Sequence, residues 1–201
     1  MFRLGLTGSI ATGKSTTLKA FADLGIPVFS SDDAVHDLYK AEAVGPVEAV
    51  FPGVTTDGAI DRDKLSKILV AHPERLKSLE AIVHPLVRAR INRFLEDAAA
   101  SGAKLAVVDI PLLFERGVDW GLDAVAVTVV DEAEQRRRAL ARPGMTVEKL
   151  DAILARQMPQ AEKRARADYI LDTGASIDST RAQVAELVAE LVGTLTTSQG
   201  R

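Results

Sequence analysis

Cysteine is absent from the 201 residues, which excludes disulfide frameworks, Cys-ligated zinc sites and thiolate nucleophiles and makes a reducing compartment the natural setting. Proline and glycine are sparse, at 8 and 14 residues, so the chain is neither collagenous nor low-complexity. Aromatic residues make up 4% of the chain and the net charge is −3; no aromatics interleave the arginines, and a nucleic-acid surface is not expected. No apolar run approaches the roughly 18 residues of a membrane span. The start, Met1-Phe2-Arg3-Leu4, turns polar and glycine-rich by Thr7-Gly8, too soon for the apolar core of a secretory leader. A cytoplasmic protein is expected, with no membrane and no nucleic-acid partner.

What the chain does have is 47% hydrophobic residues, enough for a core that needs no covalent or metal staple. Short apolar runs at Phe2 to Leu6, Pro27 to Phe29, Leu105 to Ile110, Ala124 to Val130 and Tyr169 to Leu171 read as buried strands. Segments of helical period lie between them, including Ser15 to Leu24, Glu132 to Arg142 and Ile177 to Leu195. This alternation predicts a doubly wound α/β fold with a five-stranded parallel sheet. The long stretch between the second and third strands reads as helices at Asp32 to Tyr39, Arg62 to Val70, Glu74 to Val83 and Pro85 to Ala100. The stretch between the fourth and fifth strands carries Arg136, Arg137, Arg138, Arg142, Arg156, Lys163, Arg164 and Arg166 and reads as a basic flap. The expected organisation is a core of 1–30, 105–131 and 168–195, a helical insertion at 31–104 and a lid at 132–167. The polar end Thr196 to Arg201 is expected to fray.

Directly after the first strand comes Gly8-Ser9-Ile10-Ala11-Thr12-Gly13-Lys14-Ser15, which meets GxxxxGK[ST] at every fixed position and opens a helix through Thr16 and Thr17. Such a loop turns its N–H groups, from Ala11 through Thr12, Gly13, Lys14 and Ser15 to Thr16, toward a polyphosphate, with the positive end of the helix behind them. Lys14 would bridge β- and γ-phosphates and the Ser15 hydroxyl would coordinate Mg²⁺. The Asn-Lys-x-Asp guanine motif of small GTPases is missing, for the single asparagine is Asn92, followed by Arg93-Phe94-Leu95. A compact small-molecule kinase is the leading class. A nucleotide-dependent regulatory or nucleic-acid-binding protein is the rival.

A kinase must orient an acceptor hydroxyl. Asp32 follows the second strand, at the sheet edge where ligands gather in doubly wound folds, and shares a helical face with His36. It could take the hydroxyl proton, whereas in the competing reading Ser31 or Asp32 merely caps the helix. Asp109 closes the third strand in Asp109-Ile110-Pro111-Leu112-Leu113-Phe114-Glu115. His84-Pro85 is read as a helix start with Arg88 available to an anion, although His72-Pro73 repeats the dipeptide. Arg138 and Arg142, four apart, would share a face, and Arg142 beside Pro143-Gly144 could swing onto the transferring group.

Together these strings resemble the dephospho-CoA kinase family over nearly the whole chain. The matching residues are the Leu6-Thr7-Gly8 entry to the loop, Asp32 with His36, His84-Pro85 with Arg88, the Asp109 to Glu115 string, Gln135 with Arg138 and Arg142, Gln157-Met158-Pro159, Glu162-Lys163 and Ala167-Asp168. The resemblance implies transfer of the ATP γ-phosphoryl group to the 3′-hydroxyl of dephospho-CoA. By it Asp32 is the base, Lys14 and Ser15 hold ATP and Mg²⁺, Arg142 is the lid arginine, and His84, Arg88, Asp109 and Leu113 line the acceptor side. Ser30 stands where the family's first acid is usual, so Asp32 acts alone; Ser9 and Ala11 replace frequent glycines, and Thr173 stands where Asn is common.

Overall fold

The apolar runs become the strands of one sheet. In this computed structural model, which describes residues 1–198, they are β1 (Phe2–Gly8), β2 (Val28–Ser30), β5 (Leu105–Asp109), β6 (Ala124–Val129) and β7 (Tyr169–Asp172), with a separate hairpin of β3 (Thr55–Thr56) and β4 (Ala59–Ile60). The sheet order is β2-β5-β1-β6-β7. β1 runs parallel to both neighbours, Leu4 lying opposite Val107 and Ala124. Because β1 is central and covered on both faces, Leu4, Leu6, Thr7 and Gly8 are all buried. Leu4, Leu6, Val107, Ala126 and Leu171 share a core with Phe21 of α1 (Lys14–Asp23) and with Val184, Leu187 and Leu191 of α10 (Ile177–Ser198). That core holds rigid the strand whose last residue starts the phosphate loop.

Between β2 and β5 lie α2 (Ser31–Leu38), α3 (Val44–Val50), the β3–β4 hairpin, α4 (Arg62–Ala71) and α5 (Leu76–Ala100). Two expectations are corrected here. Pro85 does not start a helix but sits inside α5. An interior proline forfeits a backbone hydrogen bond and costs about 3 kcal/mol, yet Leu79, Val83, Val87, Ile91, Leu95 and Ala98 form a buried stripe along the same helix. At roughly 1.5–3 kcal/mol for each large apolar side chain, that stripe outweighs the defect. The hairpin falls in a stretch read as helical; Asp57 (φ 50) and Gly58 (φ 77) supply the two left-handed turn residues that an Asp-Gly pair favours.

Residues 132–167 fold as α7 (Glu132–Leu140), α8 (Val147–Leu154) and α9 (Gln160–Arg166). α7 stops at Leu140, so Arg142 does not share a helical face with Arg138 as expected. The cause is Pro143, which disfavours the helical conformation at the residue before it. The chain divides into two compact units, one of Met1–Phe29 with the chain from Leu95 onward, and one of Ser30–Phe94. Of the end expected to fray, 196–198 continue α10 and 199–201 lie outside the described residues. Among the described residues no helix is long and apolar enough to cross a membrane.

Candidate functional site

β1 passes into the loop at Gly8, where a Cβ would lie 2.1 Å from Thr128 Oγ1 and 2.6 Å from Thr12 Oγ1. Those two hydroxyls are hydrogen-bonded at 2.8 Å, and Thr12 Oγ1 also reaches the Ser9 carbonyl at 2.8 Å. The hydroxyl pair fills the space, and only glycine fits beside it. Gly8→Ala is expected to destabilise by about 1–3 kcal/mol through overpacking, read as a lower Tm. In a Thr128→Ala background the loss should shrink, because the nearest clashing atom is gone.

Two residues of the loop adopt left-handed backbone, Ala11 at φ 61 and Gly13 at φ 81. For alanine this conformation costs about 1 kcal/mol. Its methyl offsets part of that cost by packing with Ala139 and Leu150, joined by Ile10, Met145 and Leu154. Alanine at this position therefore has a packing role that glycine could not fill. Gly13 caps α1 without any side-chain hydrogen bond, and the first intrahelical bond runs from Thr17 N–H to Gly13 C=O at 3.0 Å. The N–H groups of Lys14, Ser15 and Thr16 thus have no intrahelical acceptor, and with the helix dipole they form an anion site.

Lys14 Nζ contacts both carboxylate oxygens of Asp109, at 2.6 Å from Oδ2. Both side chains are withdrawn from water, 14% and 4% exposed, so the lysine is held at the end of β5 rather than free in solvent. Ser15 and Thr16 are exposed. Leu113 is buried at the start of the short helix α6 (Leu113–Arg116), against the backbone of Gly5.

On its other side the loop borders a cleft of about 660 Å³, walled by Ala11, Gly13 and Thr16, by Arg138 and Arg142, and by Thr173. The volume suits a nucleoside. Arg138 is anchored: Nε donates to Glu134 at 2.6 Å and Nη2 to the Thr173 carbonyl at 2.8 Å. Arg142 is exposed. Hydrogen bonds from Arg137 and then Arg138 hold the Glu134 carboxyl far below its ordinary value, at about 2.

The flap is less basic than its composition suggests. Arg136 pairs with Asp151 at 2.8 Å, Arg137 and Arg138 with Glu134, and Arg166 with Glu162 at 2.5 Å. Lys163 is fully buried, 2.9 Å from Glu115 Oε1, which also accepts the Met158 N–H at 2.8 Å. The basic flap expected from sequence thus carries acidic partners for most of these residues. The Glu134–Arg138 and Glu162–Arg166 pairs were visible as helical i,i+4 spacing. The Lys163–Glu115 pair was not, because its members are remote in sequence.

Burial alone would raise the Glu115 carboxyl, but Lys163 and the Met158 N–H outweigh it and hold it below 4.5. A carboxyl lowered on folding contributes stability above 4.5 that is lost as the pH falls through the depressed value. Glu115→Gln should therefore cost about 3 kcal/mol at neutral pH by leaving Lys163 buried without its carboxylate. The gap between variant and parent should narrow on acidification, which melting curves across pH would measure.

Asp32, His84 and Arg88 belong to the Ser30–Phe94 unit. Ser30, neither Ser31 nor Asp32, caps α2, its side chain accepting from Asp33 N–H at 3.2 Å. Asp32 is exposed in the first turn, and among the described residues no hydrogen bond or ion pair engages its carboxylate. His36 lies one turn further along α2. His84 and Arg88 are one turn apart on α5. The residues that sequence reasoning did not assign to a site are Thr173, Glu134 and Gln160. Gln135, Gln157, Glu115 and Lys163 were marked only by resemblance.

A model of the dephospho-CoA kinase family matches residues 2–179. A dephospho-CoA kinase of Rhodopseudomonas palustris is 54% identical over 188 residues, 94% of either chain, and one of Brucella melitensis is 52% identical over 193 residues, 96% of either chain. Among solved structures, dephospho-CoA kinase from Campylobacter jejuni aligns with a TM-score of 0.72 at 27% identity, covering 96% of this chain and 98% of that one.

Proposed function

The chain belongs to the dephospho-CoA kinase family, and from that premise we propose that it transfers the γ-phosphoryl group of ATP to the ribose 3′-hydroxyl of dephospho-CoA, giving CoA and ADP and completing coenzyme A. The observation that carries the reading is the phosphate loop opening onto a nucleoside-sized cleft through Ala11, Gly13 and Thr16. In this reading adenosine occupies the cleft beside Arg138 and Thr173. The N–H groups from Ala11 through Thr12, Gly13, Lys14 and Ser15 to Thr16 take the phosphates.

As the acceptor oxygen bonds to the γ-phosphorus, the bond to the β,γ-bridging oxygen breaks and its electron pair leaves with ADP. The hydroxyl proton passes to Asp32. That carboxylate is exposed and not spent as the helix cap, and it matches the family's acidic position. Lys14 offsets charge on the β- and γ-oxygens, and Arg142 supplies a guanidinium from the lid. His84 and Arg88 serve the anionic acceptor, Leu113 its apolar part. Asp109 orients Lys14, and its carboxylate oxygens, each with a second lone pair, can accept from the acceptor side while that contact is kept.

Mg²⁺ needs oxygen ligands and keeps several waters and phosphate oxygens, so it does not demand a protein cage. The donor set fits: Ser15 offers an exposed hydroxyl at the head of α1, although no group of three His, Cys, Asp or Glu is found among the described residues. Ser15 would hold it, and bound there the ion would neutralise charge developing on the phosphates.

The test is ADP release measured across acceptors. Dephospho-CoA should be turned over and adenylate, shikimate and gluconate should not; turnover of one of these without dephospho-CoA would make the chain another small-molecule kinase.

A further inference from the structure

Three glutamines have no part in the chemistry above, yet two of them bond the phosphate loop directly and the third supports one of those two. Gln135 of α7 is 3% exposed; its Nε2 donates to the Ile10 carbonyl at 2.7 Å and its Oε1 accepts from Gln160 Nε2 at 2.8 Å. Gln160 in turn accepts the Val130 N–H at 3.1 Å. Gln157 Oε1 accepts the Ile10 N–H at 2.9 Å. Both backbone polar groups of Ile10 are thus held by side chains from residues 132–167. The apolar contacts of Ile10 and Ala11 with Ala139, Leu150, Met145 and Leu154 lie alongside.

Peptide planarity converts these anchors into a direction. In a trans peptide, and no cis bond occurs among the described residues, a carbonyl and the next N–H point opposite ways. Tying the Ile10 carbonyl to Gln135 aims the Ala11 N–H the other way. Tying the Thr12 carbonyl to Thr173 Oγ1, at 2.9 Å, does the same for the Gly13 N–H. Ala11 and Gly13 are loop residues that border the cleft, and the Ala11 backbone is strained at φ 61, a conformation that outside support must hold.

We propose that Gln135 and Gln157 are positioning residues that keep the phosphate loop in its polyphosphate-binding shape before nucleotide arrives. The helices at 132–167 are then the scaffold of the ATP site as well as its cover. A loop ordered in advance loses less entropy on binding than one that must be ordered by the ligand. The inference rests on the kinase reading only in that the loop binds a nucleotide.

The experiment compares ADP with AMP, which lacks the β-phosphate that the loop would hold, by calorimetric titration of the full chain. Gln135→Leu and Gln157→Met are each expected to weaken ADP about tenfold, the equivalent of one lost hydrogen bond, with AMP affinity little changed. Gln135→Glu, of the same size but with an acceptor facing the Ile10 carbonyl, should do the same. In Gln157→Met the Ile10 amide should also exchange with solvent faster in the nucleotide-free protein. Gln157 is only half-buried and methionine is of similar size, so this variant decides the question even where Gln135→Leu does not fold. Unchanged ADP affinity in the folded variants, or equal weakening of ADP and AMP, overturns the proposal. Neither measurement involves the acceptor, so a failed acceptor assay leaves this result standing, and the converse holds.

Discussion

Replacing Lys14 by methionine should lower kcat by about 10²- to 10³-fold, the cost of removing one preorganised charge from a developing phosphate anion. It should also lower stability by about 3 kcal/mol, because the Asp109 carboxylate, 4% exposed, loses the ammonium that both its oxygens contact. The two effects separate in a double variant. Lys14→Met with Asp109→Asn should regain part of the lost melting temperature, since the buried carboxylate that faced the ammonium is gone, while turnover stays low. Recovery of turnover together with stability would mean that the lysine acts on the fold and not on the phosphates.

The second large effect is expected at Asp32. Asp32→Asn removes the proposed proton acceptor and keeps the shape, so kcat should fall about 10²- to 10⁴-fold, the range for a positioned general base. The KM for ATP and the melting temperature should stay put, because the side chain is exposed and among the described residues engages no partner. Steady-state kinetics with ATP and dephospho-CoA varied separately gives both numbers. Unchanged kcat would remove Asp32 from the chemistry. Ser30→Ala is the useful contrast, for it deletes the α2 cap and should cost about 1 kcal/mol of stability with kcat retained.

Local patterns were readable because their physics is local. The five sheet strands announce themselves as short runs of aliphatic residues, and the phosphate loop as a string whose glycines and lysine sit at fixed spacing beside a strand and a helix. The Asp57-Gly58 hairpin carried an equally local signal that was passed over within a stretch read as helices. Pro85 misled for a different reason. Its local preference against a helix interior was correctly read, but the buried stripe from Leu79 to Ala98 arises only in the folded chain and overrides it.

The site divides along the same line. The residues proposed to touch phosphate, and the carboxylate proposed to touch the acceptor, could be named from order along the chain. The residues that hold them could not. That Asp109 faces Lys14, that Gln135 and Gln157 grip Ile10, and that Lys163 is buried on Glu115 depend on where distant segments meet. A glutamine in a helix has the same propensity whether it faces water or a loop carbonyl.

From order alone, then, this chain was committed to a parallel α/β core with a glycine-bounded turn between its first strand and first helix, because strand burial and loop curvature are decided within a few residues. Which arginine is anchored, why alanine serves at position 11 and what props the turn open were decided only by tertiary packing. Hydrogen bonds and buried charges select their partners by proximity in space.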